Sequence, residues 1–222
     1  MLLTLPQVLA PDVLLAVWEC LAGAQFVDGR RSAGKAAAAV KANQELALQA
    51  EAQAGLQRQF MTALAQHPGF RSAALPHQVT DLIVARYTPS MTYGTHVDDP
   101  LMAGGKLRAD VAFTLFLSAP EDYVGGELQI RTAFGWQQVK LAAGDGVLYP
   151  ASSLHRVAPV TQGERLVAVG WVQSLVRDAA QRELLYELDQ ARMALLDTGP
   201  QAETTALVNR SYANLMRMWA EP

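Results

Sequence analysis

Residues 146–173 read GVLYPASSLHRVAPVTQGERLVAVGWVQ. Three short runs rich in β-branched residues, Gly146–Tyr149, His155–Val160 and Arg165–Gln173, are separated by Pro-Ala-Ser-Ser and Thr-Gln-Gly. Such punctuation marks strands and turns. The gaps are too short for a helical crossover, so the strands pair antiparallel. Working outward, Val79–Tyr87, Asp110–Ser118, Glu127–Arg131 and Trp136–Lys140 repeat the pattern, with Gly125-Gly126 and Gly144-Asp145-Gly146 between them. Many short strands at roughly ten-residue spacing predict a sandwich or barrel over 79–175.

The flanks have another period. Up to residue 75 the chain is rich in Ala and Gln and is expected to be mostly helical, with Val13, Val17 and Leu21, then Leu56, Phe60 and Leu64, on four-residue spacing. His67-Pro68-Gly69 stops the second of these helices. Beyond 175, Leu184, Leu188, Ala191 and Leu195 form one helical stripe and Val208, Tyr212, Leu215 and Trp219 another, with Gly199-Pro200 between them. The chain therefore divides into 1–175, helical over 1–75 and β over 79–175, and a C-terminal helical extension, 176–222. The stripes need cover from the barrel or from a second subunit, so a homodimer through these helices is an expectation.

Half of the 222 residues are apolar, 18% are charged and the net charge is -3. This is a globular composition with no basic field for nucleic acid or an anionic membrane. The lone Cys20 excludes an internal disulfide framework and a Cys-rich zinc site. Pro6, Pro11 and Asp12 interrupt the apolar N-terminus, which lacks the basic start of an export signal, so the expected location is cytoplasmic.

Of four histidines, His67 and His77 flank prolines and read as cap or loop residues. His96 and Asp98, at i and i+2, share one side of an extended segment. His155 opens a strand run 59 residues later. Two imidazoles and one carboxylate, with coordination positions left open, form the ligand set of non-haem Fe(II) oxygenases. Arg165 alternates with Val167, Val169 and Trp171 on one face of its strand. An inward Arg is costly unless it meets an anion, and a dicarboxylate that chelates the metal would supply one. A barrel that binds a metal or small ligand without turnover, and a zinc hydrolase, are the alternatives. The hydrolase would leave Arg165 without a partner.

The ordered strings Tyr93–Asp98, Thr114–Ser118, Asp122–Leu128, Val139–Asp145 and Tyr149–Val157 resemble the bacterial PKHD-type hydroxylases. These belong to the prolyl 4-hydroxylase branch of the Fe(II)/2-oxoglutarate dioxygenases. The resemblance runs from about Val27-Asp28-Gly29-Arg30 into the C-terminal helices. It implies a double-stranded β-helix, or jelly roll, with flanking helices. It implies that His96, Asp98 and His155 bind Fe(II) and that Arg165 binds the far carboxylate of 2-oxoglutarate. Tyr87, Phe116, Leu128 and Trp171 match cosubstrate-pocket positions. The resemblance further implies O2 as the other cosubstrate, L-ascorbate to keep the iron reduced, and hydroxylation of a C–H bond in an unidentified small-molecule or protein substrate, with a link to iron uptake. Pro89-Ser90 and Asp99 depart from the family's usual glycines and Asn. Both lie beside the site entrance, where they bear on substrate choice. Asp99–Leu107 follows the ligands directly and reads as a lid.

Overall fold

The computed structural model covers residues 1–222. A first strand β1 (Leu3–Leu5) leads to helix α1 (Pro11–Leu21), which has Pro at its start and buries Leu14, Val17 and Leu21. Next come β2 (Gln25–Asp28), the short helix α2 (Lys35–Ala38), β3 (Lys41–Ala42) and β4 (Gln44–Ala47). Helix α3 (Ala50–Gln66) buries Leu56, Phe60 and Leu64. His67 then ends α3 and caps α4 (Pro68–Ala74), its Nδ1 accepting from the amide of Phe70. Helices hold 39 of the first 75 residues, just over half, as expected, but the remainder is not all loop. Four strands interleave with the helices, and β2 and β4 extend a sheet. The β4 sequence, QELA, carries little strand propensity, and β2, QFVD, has only Phe26 and Val27 to favour a strand; pairing along a sheet edge makes them strands.

The β zone follows as β5 (Pro76–Val79), β6 (Ile83–Tyr87), β7 (Thr92–His96), β8 (Leu101–Met102), β9 (Leu107–Arg108), β10 (Val111–Phe116), β11 (Tyr123–Gly125), β12 (Leu128–Thr132), β13 (Gly135–Val139), β14 (Gly146–Pro150), β15 (His155–Val157), β16 (Val160–Gly163) and β17 (Arg165–Ser174). Every pairing is antiparallel. The larger sheet runs β1-β14-β10-β17-β6-β4-β2, with β5 also on β17, and the smaller runs β13-β12-β15-β7-β3. The two form the jelly-roll sandwich. One core lies between the larger sheet and α1, α3 and α4, around Phe60, Phe70, Phe113 and Leu115. A second lies inside the sandwich, around Tyr87, Phe116, Leu128, Tyr149 and Val167.

Helices α5 (Ala179–Thr198) and α6 (Glu203–Trp219) close the chain. Most of the α6 stripe packs as expected: Tyr212, Leu215 and Trp219, joined by Met216 but not by Val208, lie against Leu75, Val176 and Leu185. The α5 stripe does not. Leu184 is exposed, and the buried positions are Arg182, Leu185 and Asp189. Polar partners explain this. Arg182 donates to the carbonyls of Val176 and Arg177, and Asp189 accepts from Ser72 and Arg192. No helix is long and apolar enough to cross a membrane.

Candidate iron and 2-oxoglutarate site

The site lies inside the sandwich, where β7 and β15 run side by side. His96 and His155 are directly opposed cross-strand partners, with ring centroids 4.2 Å apart. Direct partners share a face, so register alone brings together two residues 59 positions apart. Asp98 follows two residues after β7 ends, and its Oδ1 lies 3.7 Å from His155 Nε2. One ligating atom from each of the three falls within 4.8 Å of the others.

The tautomers are fixed from behind. His96 Nδ1 lies 2.8 Å from the carbonyl of Gly94, and His155 Nδ1 lies 3.0 Å from that of Ser153. A carbonyl only accepts, so each Nδ1 carries the hydrogen and each Nε2 presents a lone pair. Tyr93 stacks on the His96 ring at 3.6 Å, and Tyr149 meets the His155 ring edge-on at 5.2 Å. Burial lowers the His96 pKa to about 4, with the His155 ring adding to the effect, so the imidazole is neutral near pH 7. Burial raises the Asp98 carboxyl, against the opposite pull of His155 and Trp171. Asp98 Oδ2 is buried and has no hydrogen-bond partner. Two neutral lone pairs and a carboxylate that gains from a counter-charge suit a divalent cation.

Arg165 occupies the deep end. It opens β17 opposite Tyr87, the last residue of β6. It is 1% exposed, yet its Nε and Nη1 have no partner. No carboxylate pairs with it; its guanidinium lies 5.0 Å from the Tyr87 ring and 5.7 Å from the Phe116 ring. A buried, unpaired cation is unstable in isolation and calls for an anionic guest. Gly126 makes room for its stem: a Cβ there would lie 3.0 Å from Arg165 Cδ and 2.9 Å from Val160 Cγ2, at a backbone φ of +69°. Triad and Arg165 line one cavity of about 430 Å³. The donor set and the orphaned Arg165 nitrogens fit Fe(II) at one end and the far carboxylate of 2-oxoglutarate at the other.

Of the four residues matched to cosubstrate-pocket positions, Tyr87, Leu128 and Trp171 line this cavity. Phe116 does not; it stands fully buried behind Arg165. Tyr93, Tyr149 and a polar group from the N-terminal segment, Ser32, Lys41, Asn43 and Glu45, also line it and were not singled out from the sequence. Reading that segment as helical hid them, although Lys41, Asn43 and Glu45 stand at period two. The Asp99–Leu107 segment folds partly as the β8–β9 hairpin, and its Met102 and Ala103 reach the cavity wall.

Fold and site define a 2-oxoglutarate- and Fe(II)-dependent oxygenase, and residues 82–173 match the sequence model of the 2OG-Fe(II) oxygenase superfamily. Residues 179–221 match the PKHD-type hydroxylase C-terminal domain. A PKHD-type hydroxylase of Acaryochloris marina is 49% identical over 221 residues, and one of Thioalkalivibrio sulfidiphilus is 50% identical over 223, each covering all of both chains. A Pseudomonas putida prolyl-4-hydroxylase shares the fold, with a TM-score of 0.55 at 24% identity over 78% of this chain and 92% of that one. The chain belongs to the PKHD-type hydroxylase family. It is an enzyme that uses Fe(II), with 2-oxoglutarate and O2 as cosubstrates and ascorbate as a common additive in this family.

Proposed function

We propose that His96, Asp98 and His155 hold the iron, that Arg165 forks onto the far carboxylate of 2-oxoglutarate, and that the enzyme hydroxylates a C–H bond of a substrate entering past Trp171 and Asp99. One observation carries this: buried, unpartnered Arg165 nitrogens share a cavity with a two-His, one-carboxylate cluster. With both groups bound, oxidative decarboxylation of 2-oxoglutarate by O2 supplies the oxidant for the C–H bond. The chain supplies geometry. Gly94 and Ser153 hold the imidazoles by their Nδ1 hydrogens. Tyr93 and Tyr149 fix the ring planes. Arg165 sets the depth of the dicarboxylate, and Tyr87, Leu128 and Val167 keep water from its methylene groups.

We further propose that residues 1–175 are the catalytic unit and 176–222 an extension, that the enzyme acts in the cytoplasm in a process linked to iron uptake, and that it dimerises through α5 and α6. Exposed Leu184, Met193, Leu207 and Met218 on those helices support the last. The test of function is to incubate reduced protein with Fe(II), 2-oxoglutarate and cell extract. A compound that gains one oxygen, with matching succinate release, is the expected product. Its absence, with no 2-oxoglutarate turnover, contradicts the proposal.

A further inference from the structure

The cavity has a wall that iron and cosubstrate leave unused. The segment Lys41–Ala47 closes one side of the sandwich, β3 pairing with β7 of the smaller sheet and β4 with β6 of the larger. Side chains on such a segment alternate. Lys41, Asn43 and Glu45 point inward, line the cavity and are no more than 9% exposed. A segment whose core-facing positions are all polar inverts the usual pattern. Lys41 Nζ donates to Glu45 Oε1 at 2.5 Å and to Ser32 Oγ at 3.0 Å, and Ser32 Oγ donates to the same Glu45 oxygen at 2.6 Å. Glu45 Oε2 takes no bond from the protein. A buried ion pair is rarely better for stability than apolar side chains of similar volume, so stability alone does not account for this one.

The charge balance gives the wall a sign. Divalent iron, Asp98, a dianionic cosubstrate and Arg165 neutralise one another. Outside them, the ionised side chains lining the cavity are Lys41 against Glu45, Asp81 and Asp99, one cation facing three carboxylates. A cavity with low-dielectric walls and this excess attracts a cation. The Lys41 ammonium lies 5.2 Å from the Tyr93 ring, which in turn stacks on His96. The polar group is thus one aromatic ring away from a metal ligand.

Resting on the iron and 2-oxoglutarate assignment above, we propose that the primary substrate carries a protonated amine received by Glu45. Lys41 and Ser32 hold the carboxylate in place, and Asp81 and Asp99 draw the cation through the mouth. The carbon offered for hydroxylation then lies a few bonds from that nitrogen.

The experiment titrates the anaerobic Fe(II)- and 2-oxoglutarate-loaded protein with hexylamine, hexanol and hexanoate, followed by calorimetry. Hexylamine should bind at least about tenfold more tightly than hexanol, as a charge pair in a desolvated site requires, and hexanoate should bind weakest. Glu45→Gln should remove the preference while Fe(II) and 2-oxoglutarate affinities stay within about twofold. Asp99→Asn, at an exposed position that does not threaten folding, should reduce it in part. A parallel comparison of acetyl-alanyl-lysyl-alanine amide with its norleucine counterpart tells a lysine side chain from a free amine as the source. Equal binding of hexylamine and hexanol, or a preference that survives both substitutions, overturns the proposal. Failure to bind 2-oxoglutarate at all instead overturns the site assignment beneath it.

Discussion

Arg165 is buried, and its Nε and Nη1 have no protein partner, which makes it the residue most dependent on a guest. Arg165→Ala should weaken 2-oxoglutarate binding by about 3–5 kcal/mol, two to three decades in affinity, while metal affinity changes little. Arg165→Lys should recover only part, because an ammonium lacks the planar fork. Calorimetric titration of both variants checks this. Gly126→Ala tests the same site from behind. The added methyl meets Val160, Arg165 and Tyr123 at a φ that L-residues avoid, so it should cost about 1–3 kcal/mol of stability, read by urea unfolding, and loosen the cosubstrate by displacing Arg165. Two of the three ligands carry shifts that bear on the pH dependence of metal binding. Bound metal excludes the Asp98 proton, whose pKa is raised, so Mn(II) affinity should fall up to about tenfold per pH unit below that value. His96, neutral down to about pH 4, adds no such loss above it. Titrations from pH 5 to 8 reveal the slope. His96, Asp98, His155 and Arg165 were legible because ionisable side chains are rare on strand faces otherwise filled by Val, Ala and aromatics. The carbonyls of Gly94 and Ser153 that set the tautomers were not, since they depend on local backbone direction and not on side-chain type.

Among the elements, legibility tracks the length of the apolar run. The 165–173 run became the ten-residue strand β17, and Leu56, Phe60 and Leu64 became the buried face of α3, because burial and periodicity agree there. The β2–β4 region was misread. The Ala-rich composition suggested helix, but residues 33–39 yield only the four-residue α2, and the short stretches on either side become strands through contact with a sheet edge far along the chain. The α5 stripe slipped by one position because Arg182 and Asp189 are buried with polar partners, which hydrophobic spacing cannot register. The helical layer serves stability at a distance from the chemistry. Phe60→Ala, at a fully buried position on α3, should therefore cost about 3–5 kcal/mol in denaturant unfolding and leave the dissociation constant for 2-oxoglutarate unchanged below the transition.

For the whole molecule, the C-terminal helices act as cover. They seal Leu75 and Val176, and the amide of Glu221 returns to the carbonyl of Leu175 at 2.7 Å. Truncation after Ser174 keeps all four proposed site residues but uncovers this cluster, so it should give aggregating protein. Light scattering decides that, and on the intact chain it also tests the proposed dimer, which a 24.0 kDa species would reject. The central claim is that one cavity holds a metal at His96, Asp98 and His155 and a dicarboxylate between that metal and Arg165. Its most direct test is an anaerobic calorimetric titration of 2-oxoglutarate into the protein with and without Mn(II), repeated on His155→Ala. Metal-dependent binding at one site per chain, lost in the variant while its fold persists by circular dichroism, is the predicted result. Equal 2-oxoglutarate affinity with and without metal, or wild-type metal affinity in His155→Ala, would contradict it.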